Sequence, residues 1–217
     1  MGTNVASIVN DGSLIGLGSG SAVAAFVHAL GLRISQEKLS ISGIPSSIQI
    51  ERIAKENGIK LETSSRMTDV EIVVDGADQI DSEFNMIKGG GGALFREKVL
   101  IESSKRRIIV ADESKYSDRL TRTVPLEVTE YSRHFVADSV RALGGNPTMR
   151  SLEKGYPYFT QNGNMIFETD FGRIEDPRKL QLELLKIPGI IANGIFTMPI
   201  DSFFKAKNDG SVEEIRP

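Results

Sequence analysis

Four segments of this chain hold residue types that can do chemistry, and each is built on glycine or on charge at a strand end. Lys88-Gly89-Gly90-Gly91-Gly92-Ala93-Leu94, running into Phe95-Arg96-Glu97-Lys98, is the most unusual. Successive glycines lose much conformational entropy on folding, which a solvent loop has little reason to bear. They make sense where main chain must pass close to a ligand, with Lys88 as a cation and Glu97 as a carboxylate early in a helix; a flexible hinge is the alternative. Asp75-Gly76-Ala77-Asp78 sets two carboxylates three positions apart with small residues between them. Both can face one ligand, for hydroxyl binding and proton transfer, although Asp at a strand end is otherwise a turn former or a helix cap.

Gly16-Leu17-Gly18-Ser19-Gly20-Ser21 lies between an apolar run and a helical pattern. Glycine lets backbone approach an anion, and the helix that follows offers free N–H groups and a positive dipole end, so phosphate is the natural guest. A dinucleotide fingerprint would want Gly at 21 and an acid ending the second strand, where Ile41-Ser42-Gly43 stands; a Walker A loop would want Gly-Lys-Ser/Thr. A small phosphorylated ligand is therefore favoured over NAD or ATP, with an empty tight turn as the alternative. In Ala111-Asp112-Glu113-Ser114-Lys115, the lysine can reach a phosphate or sugar oxygen, or simply sit solvated at the surface.

Each of these segments follows an expected strand, and that is what should bring them together. Strands are expected at Leu14–Leu17, Lys38–Ser42, Val70–Val74 and Arg107–Val110. Helices are expected at Ser21–Leu30, from Ser46 or Ser47 to Asn57 with Gly58 closing it, and at Ala93–Ser104. Apolar strands alternating with helices indicate a doubly wound, mostly parallel α/β sheet of Rossmann-like type, whose ligands bind beyond the carboxyl ends of the strands. From Pro125 the rhythm changes. Leu126–Thr129, Ser132–Leu143, Thr148–Arg150, Asn164–Thr169, Pro177–Lys186 and Ile190–Phe196 read as β-α-β-β-α-β, a smaller ferredoxin-like α+β domain. Residues 125–196 are expected to form that domain, and residues 1–124 plus 197–217 the first, with Ser202–Lys205 and Val212–Ile215 returning to its sheet.

Composition narrows the function. Lys+Arg 26 against Asp+Glu 29 gives a net charge of −3, so neither nucleic acid nor an anionic membrane is an expected partner. With no Cys there is no disulfide, thiolate zinc site or thiol catalysis, and with only His28 and His134 a histidine metal site is not expected. Both histidines fall off the apolar stripes of their helices and should be partly exposed. No apolar run reaches the roughly 20 residues of a membrane span, and a signal-peptide layout is absent, so the cytoplasm is the expected location.

These segments resemble ribose-5-phosphate isomerase, type A: Gly16–Ser21, Asp75–Asp78, Lys88–Leu94 with Arg96-Glu97-Lys98, Ala111-Asp112 with Ser114-Lys115, then Leu143-Gly144-Gly145, Asn162–Asn164 and Ile187-Pro188-Gly189. The resemblance implies interconversion of ribose 5-phosphate and ribulose 5-phosphate in the pentose phosphate pathway, without metal or organic cofactor, by a dimer or tetramer. By that likeness Glu97 looks like the general base, Asp75 and Asp78 like acids handling the ring oxygen and hydroxyls, and Lys88 like the cation beside a developing enediolate. Ser19, Gly20, Ser21, Ala22 and Lys115, with Gly76, Ala77, Gly89, Gly90 and Gly91, look like substrate-binding positions. The chain departs from the pattern at Ala22, where Thr is common, at Gln79, where Glu is usual, and in a short segment before Leu14.

A carboxylate is a weak base for a C–H proton unless its site is dehydrated, so Glu97 is expected in a partly dry cleft. Two other classes compete. A sugar-phosphate sensor domain would carry an N-terminal helix-turn-helix, for which the roughly 13 residues before Leu14 leave no room, and it would not need Glu97 with Lys88. A nucleotide-dependent dehydrogenase is disfavoured by Ser21 and the missing acid.

Overall fold

The computed structural model describes all of residues 1–217. Along the chain come α1 (Gly2–Ala6), β1 (Leu14–Leu17), α2 (Ser21–Glu37), β2 (Ser42–Pro45), α3 (Ile48–Glu56), β3 (Lys60–Leu61), β4 (Ile72–Gly76), β5 (Gln79–Ile80) and β6 (Met86–Ile87). Next are α4 (Leu94–Ser103), β7 (Arg106–Asp112), β8 (Val124–Val128), α5 (Arg133–Ala142), β9 (Asn146–Met149) and β10 (Met165–Asp170). The chain ends with α6 (Pro177–Leu185), β11 (Ile190–Asn193), β12 (Ile195–Phe196), β13 (Ser202–Ala206) and β14 (Val212–Ile215). These elements form two compact units. One is Met1–Ala77 with Arg96–Lys115 and Pro199–Pro217; the other is Asp78–Phe95 with Tyr116–Met198. This division differs from 1–124 plus 197–217 and 125–196 by putting residues 78–95, 116–124 and 197–198 with the second unit, where Ile80 bridges to Tyr116 and Gln79 bonds to residues 117–122.

In the first unit a seven-stranded sheet runs β14-β13-β7-β4-β1-β2-β3. Every pair is parallel except β13 with β14. On one face of this sheet Ile15, Leu17, Ile72, Val74, Ile108 and Val110 share a core with Val23, Phe26, Val27 and Leu30 of α2. Burying one such side chain stabilises by about 1.5–3 kcal/mol. Helix α2 continues past the expected Leu30 to Glu37, where Arg33 and Glu37 pair one turn apart. Strand β2 lies four residues beyond the expected start at Lys38, because Lys38 is the left-handed cap of α2 and Ser42 pairs with Leu14. The tail returns as expected, with Phe203 beside Ile109.

The second unit holds a four-stranded antiparallel sheet ordered β11-β8-β10-β9. With α5 and α6 interposed this is the ferredoxin-like arrangement, fourth strand beside first and third beside second. One sheet face, with Val124, Leu126, Val128 and Phe167, packs with Val136 and Val140 of α5 and Leu184 of α6. Asp176 caps α6 through Lys179 N at 2.9 Å, and Pro177 opens the helix. The single strand expected over Ile190–Phe196 is two. Strand β11 pairs with β8, while β12 pairs with β6 in a small three-stranded sheet, β12-β6-β5. The break falls at Gly194, where a side chain would strike the carbonyl of Lys88 and the ring of Pro125.

Candidate active site

In the first unit, β1, β4 and β7 are parallel neighbours, so Gly16–Ser21, Asp75–Ala77 and Glu113–Lys115 emerge at one sheet edge. Gly18 N donates to the carbonyl of Val74 at 2.9 Å, which seats the turn against the end of β4. A Cβ at Gly18 would overlap the Asp75 carboxylate, so only glycine lets the two approach. Asp75 is fully buried, and its Oδ1 accepts from Ser19 N at 3.1 Å and Gly76 N at 2.7 Å. The Ser19 hydroxyl donates to Oε1 of Glu97. Glu97 is only 2% exposed, so its carboxylate lies out of water.

Gly20 precedes α2 at φ 92°, a left-handed conformation suited to glycine, and no side chain caps the helix amides there. Those amides and the exposed Ser21 lie at the open end of the turn, where helix N–H groups of this kind can meet an anion. Ala22 packs its methyl against the core, so at that position only main chain is offered to a ligand. Gly76 and Ala77 are half-buried at the end of β4, and Lys115 is half-buried in a 3-10 turn after β7. Ser114 donates through both N and Oγ to Oδ1 of Asp112, which holds that carboxyl below its usual range and shapes the turn before Lys115.

The second unit holds the remaining candidates, and here the expectation that each segment follows a strand of the parallel sheet fails: Lys88–Leu94 follows β6, whose partners β5 and β12 are both antiparallel. Asp78 Oδ2 accepts from Gly90 N at 2.8 Å, so one carboxylate already grips the glycine loop. Lys88 is 3% exposed; its N donates to the carbonyl of Gly194 at 2.9 Å and its Nζ lies 5.4 Å from the centroid of the Phe196 ring. Gly89 and Gly92 have φ of 105° and 79° and close a turn by Gly92 N to Gly89 O, 2.9 Å; Gly90 and Gly91 are exposed between them. Gln79 spans main chain of the 117–122 segment, accepting from Thr121 N and Arg122 N at 2.8 and 2.9 Å, which gives it a structural task. His28 and His134 are exposed.

Three residues escaped the sequence reasoning. Arg150, Tyr158 and Glu168 cluster beneath the glycine loop, Arg150 Nη2 donating to Gly89 O at 3.1 Å. None lies in a motif, and the only local signal was the cation Arg150 ending an expected strand.

The profile described as Ribose 5-phosphate isomerase A (phosphoriboisomerase A) matches residues 42–210. The chain belongs to that family. The ribose-5-phosphate isomerase A of Methanosarcina acetivorans is 42% identical over 99% of this chain and 92% of its own length. A solved structure of ribose 5-phosphate isomerase A from Methanocaldococcus jannaschii superposes with a TM-score of 0.94 at 34% identity, covering 100% of this chain and 96% of that one. A D-ribose-5-phosphate isomerase solved in complex with phospho-erythronic acid gives 0.95 at 32% identity, over 100% and 96% of the two chains. No helix here is long and apolar enough to cross a membrane.

Proposed function

We propose that this isomerase A family member interconverts D-ribose 5-phosphate and D-ribulose 5-phosphate through an enediolate, with Glu97 as the base. The observation that carries this is the buried Glu97 carboxylate tied by Ser19 to the glycine turn and, through the same residue, to Asp75. In the forward direction Glu97 takes the proton from C2 of the open-chain aldose, leaving a delocalised charge over C1, C2 and their oxygens. The same carboxylic acid then returns the proton to C1, and the oxygen proton moves from O2 to O1. Asp75 and Asp78 handle the ring oxygen and hydroxyl protons in this scheme. Lys88 and main-chain N–H groups of the glycine loop other than that of Gly90, which donates to Asp78, stabilise the enediolate.

Positioned acid–base catalysis is worth roughly 10²–10⁴-fold, so charge stabilisation by Lys88 and main-chain donors must add several kcal/mol. The chemistry parallels the glutamate base of triosephosphate isomerase, with lysine and amides in place of its neutral imidazole. Phosphate held by Ser19–Ala22, and reached by Lys115, anchors the sugar away from the reacting carbons. Phospho-erythronic acid, which a related isomerase binds, supports this reading: it is a phosphorylated sugar acid whose planar carboxylate carries the kind of charge an enediolate has.

A cytoplasmic homodimer or homotetramer is part of the proposal, and Tyr131, Phe135, Leu182 and Leu185, exposed on the second unit, are apolar surface of the kind that assembly covers. Incubation with ribose 5-phosphate, without added metal or NAD, should form ketose, and Glu97→Gln should abolish turnover while leaving substrate binding largely intact. Turnover by Glu97→Gln at the parent rate removes the base assignment. Binding without conversion by the parent would favour the sensor alternative.

A further inference from the structure

We propose that Arg150 is a positioning residue: it aims the Gly89–Gly90 peptide so that the Asp78 carboxylate is held in its working orientation. The inference rests on the reading of Asp78 and the glycine loop as parts of the isomerase machinery. Arg150 follows β9, and its side chain is 14% exposed. Its Nη2 donates to the Gly89 carbonyl at 3.1 Å, its Nε donates to Glu168 Oε1 at 2.6 Å, and its guanidinium carbon stands 5.4 Å from the Tyr158 ring centroid. A carboxylate on one side, an aromatic face on another and a carbonyl at the tip leave the guanidinium one orientation.

The carbonyl of Gly89 and the N–H of Gly90 belong to one peptide unit, which is planar and trans, so they point in opposite directions. Arg150 holds the oxygen, and the N–H thereby faces Asp78, whose Oδ2 accepts it at 2.8 Å. Between two glycines this plane has no side chain to hinder its rotation, and an external grip is what sets it. Tyr158 adds a second restraint. Its hydroxyl lies 3.5 Å from the Gly91 carbonyl, and a Cβ at Gly92 would overlap it. Lysine cannot replace this arginine, because a single ammonium does not serve Glu168 and Gly89 in a fixed fork while stacking on Tyr158.

The test compares parent, Arg150→Met and Arg150→Lys in steady-state kinetics on ribose 5-phosphate and in amide hydrogen exchange. In Arg150→Met, kcat should fall roughly 10- to 100-fold with KM within about threefold, the signature of misplaced groups rather than lost binding. Arg150→Lys should recover little. Exchange should quicken in the peptide covering residues 88–94 and stay at parent rates in β8 and β10. Parent kcat in Arg150→Met overturns the proposal. So does faster exchange throughout β8 and β10 with both defects repaired by Arg150→Lys, since that would mark a general structural role. If the parent itself fails to convert ribose 5-phosphate, the proposed function falls, and the exchange comparison still reads whether Arg150 governs the loop.

Discussion

The hydroxyl of Ser19 donates to Oε1 of Glu97, a residue 78 positions later in the chain, while the amide of Ser19 donates to Asp75. One serine thus ties the glycine turn to two carboxylates of the proposed chemistry. Removing it should do more than weaken phosphate binding. A hydrogen bond to a charged group is worth about 1.5–3 kcal/mol, and each 1.36 kcal/mol is tenfold in rate. Ser19→Ala should therefore lower kcat by about 10-fold or more and raise KM, whereas Ser21→Ala should raise KM alone. Steady-state kinetics on both variants check this. An unchanged kcat in Ser19→Ala would mean that the bond does not orient Glu97 for reaction.

Gly18 makes a second, steric prediction. Its Cβ would overlap the Asp75 carboxylate, and that carboxylate is fully buried at the end of a packed strand. Overpacking of this kind costs about 1–3 kcal/mol. Gly18→Ala should lower Tm by roughly 2–12 °C. It should also lose most isomerase activity, because Asp75 can only yield by moving its oxygens off Ser19 and Gly76. Calorimetry and the ketose assay together test it; a variant with parent Tm and parent kcat would show that Asp75 has room to shift.

The four chemical segments were legible because their signals are local: glycine runs and strand-end acids stand out over a few residues. Which of them touch is a matter of long-range pairing, and there the sequence was silent. Nothing near Ser19 points to Glu97. Arg150 carried no motif, since its meaning comes from the Gly89 carbonyl, 61 positions earlier. The strand errors have the same source. The stretch Lys38–Ser42, where Leu39 and Ile41 alternate with polar residues, reads as strand, yet the ladder begins only where Ser42 meets Leu14, and the stretch Ile190–Phe196 is cut at Gly194 because Lys88 and Pro125 pack there. Fold class survived these slips because the alternation of strand and helix does not depend on exact ends.

Glu127 illustrates a buried group no local pattern announced. It is fully buried in β8, and its Oε1 accepts from Thr160 Oγ1, Asn162 Nδ2 and Asn164 Nδ2, each at 2.9 Å. The turn 160–164 is organised around that oxygen. Glu127→Met removes the acceptor and should destabilise by about 2–3 kcal/mol, since a buried donor left unsatisfied costs about 1–3 kcal/mol. The corresponding fall in Tm is roughly 4–12 °C. Glu127→Gln keeps one accepting oxygen but buries amide donors beside it, so it should fall between the two. Thermal unfolding of the three proteins settles the order, and a Glu127→Met as stable as the parent would show that the turn holds without this acceptor.

Lys98, next to the proposed base, supplies a pH prediction whose sign is fixed by burial. Desolvation pushes its ammonium down to about 7, against the opposing pull of Glu102 one turn away. The unfolded chain keeps an ordinary lysine near 10.4. Between these values the unfolded state binds the proton that the folded state gives up, so stability rises with pH from about 7 toward 10.4. Below that window both states are protonated and folding bears the full penalty of a buried charge. Lys98→Met removes the penalty at its source. It should unfold at a higher temperature than the parent at pH 6–7, with the difference shrinking steadily toward pH 10. A difference independent of pH would mean that Lys98 titrates as it does in water, and that its ammonium reaches solvent in the folded protein.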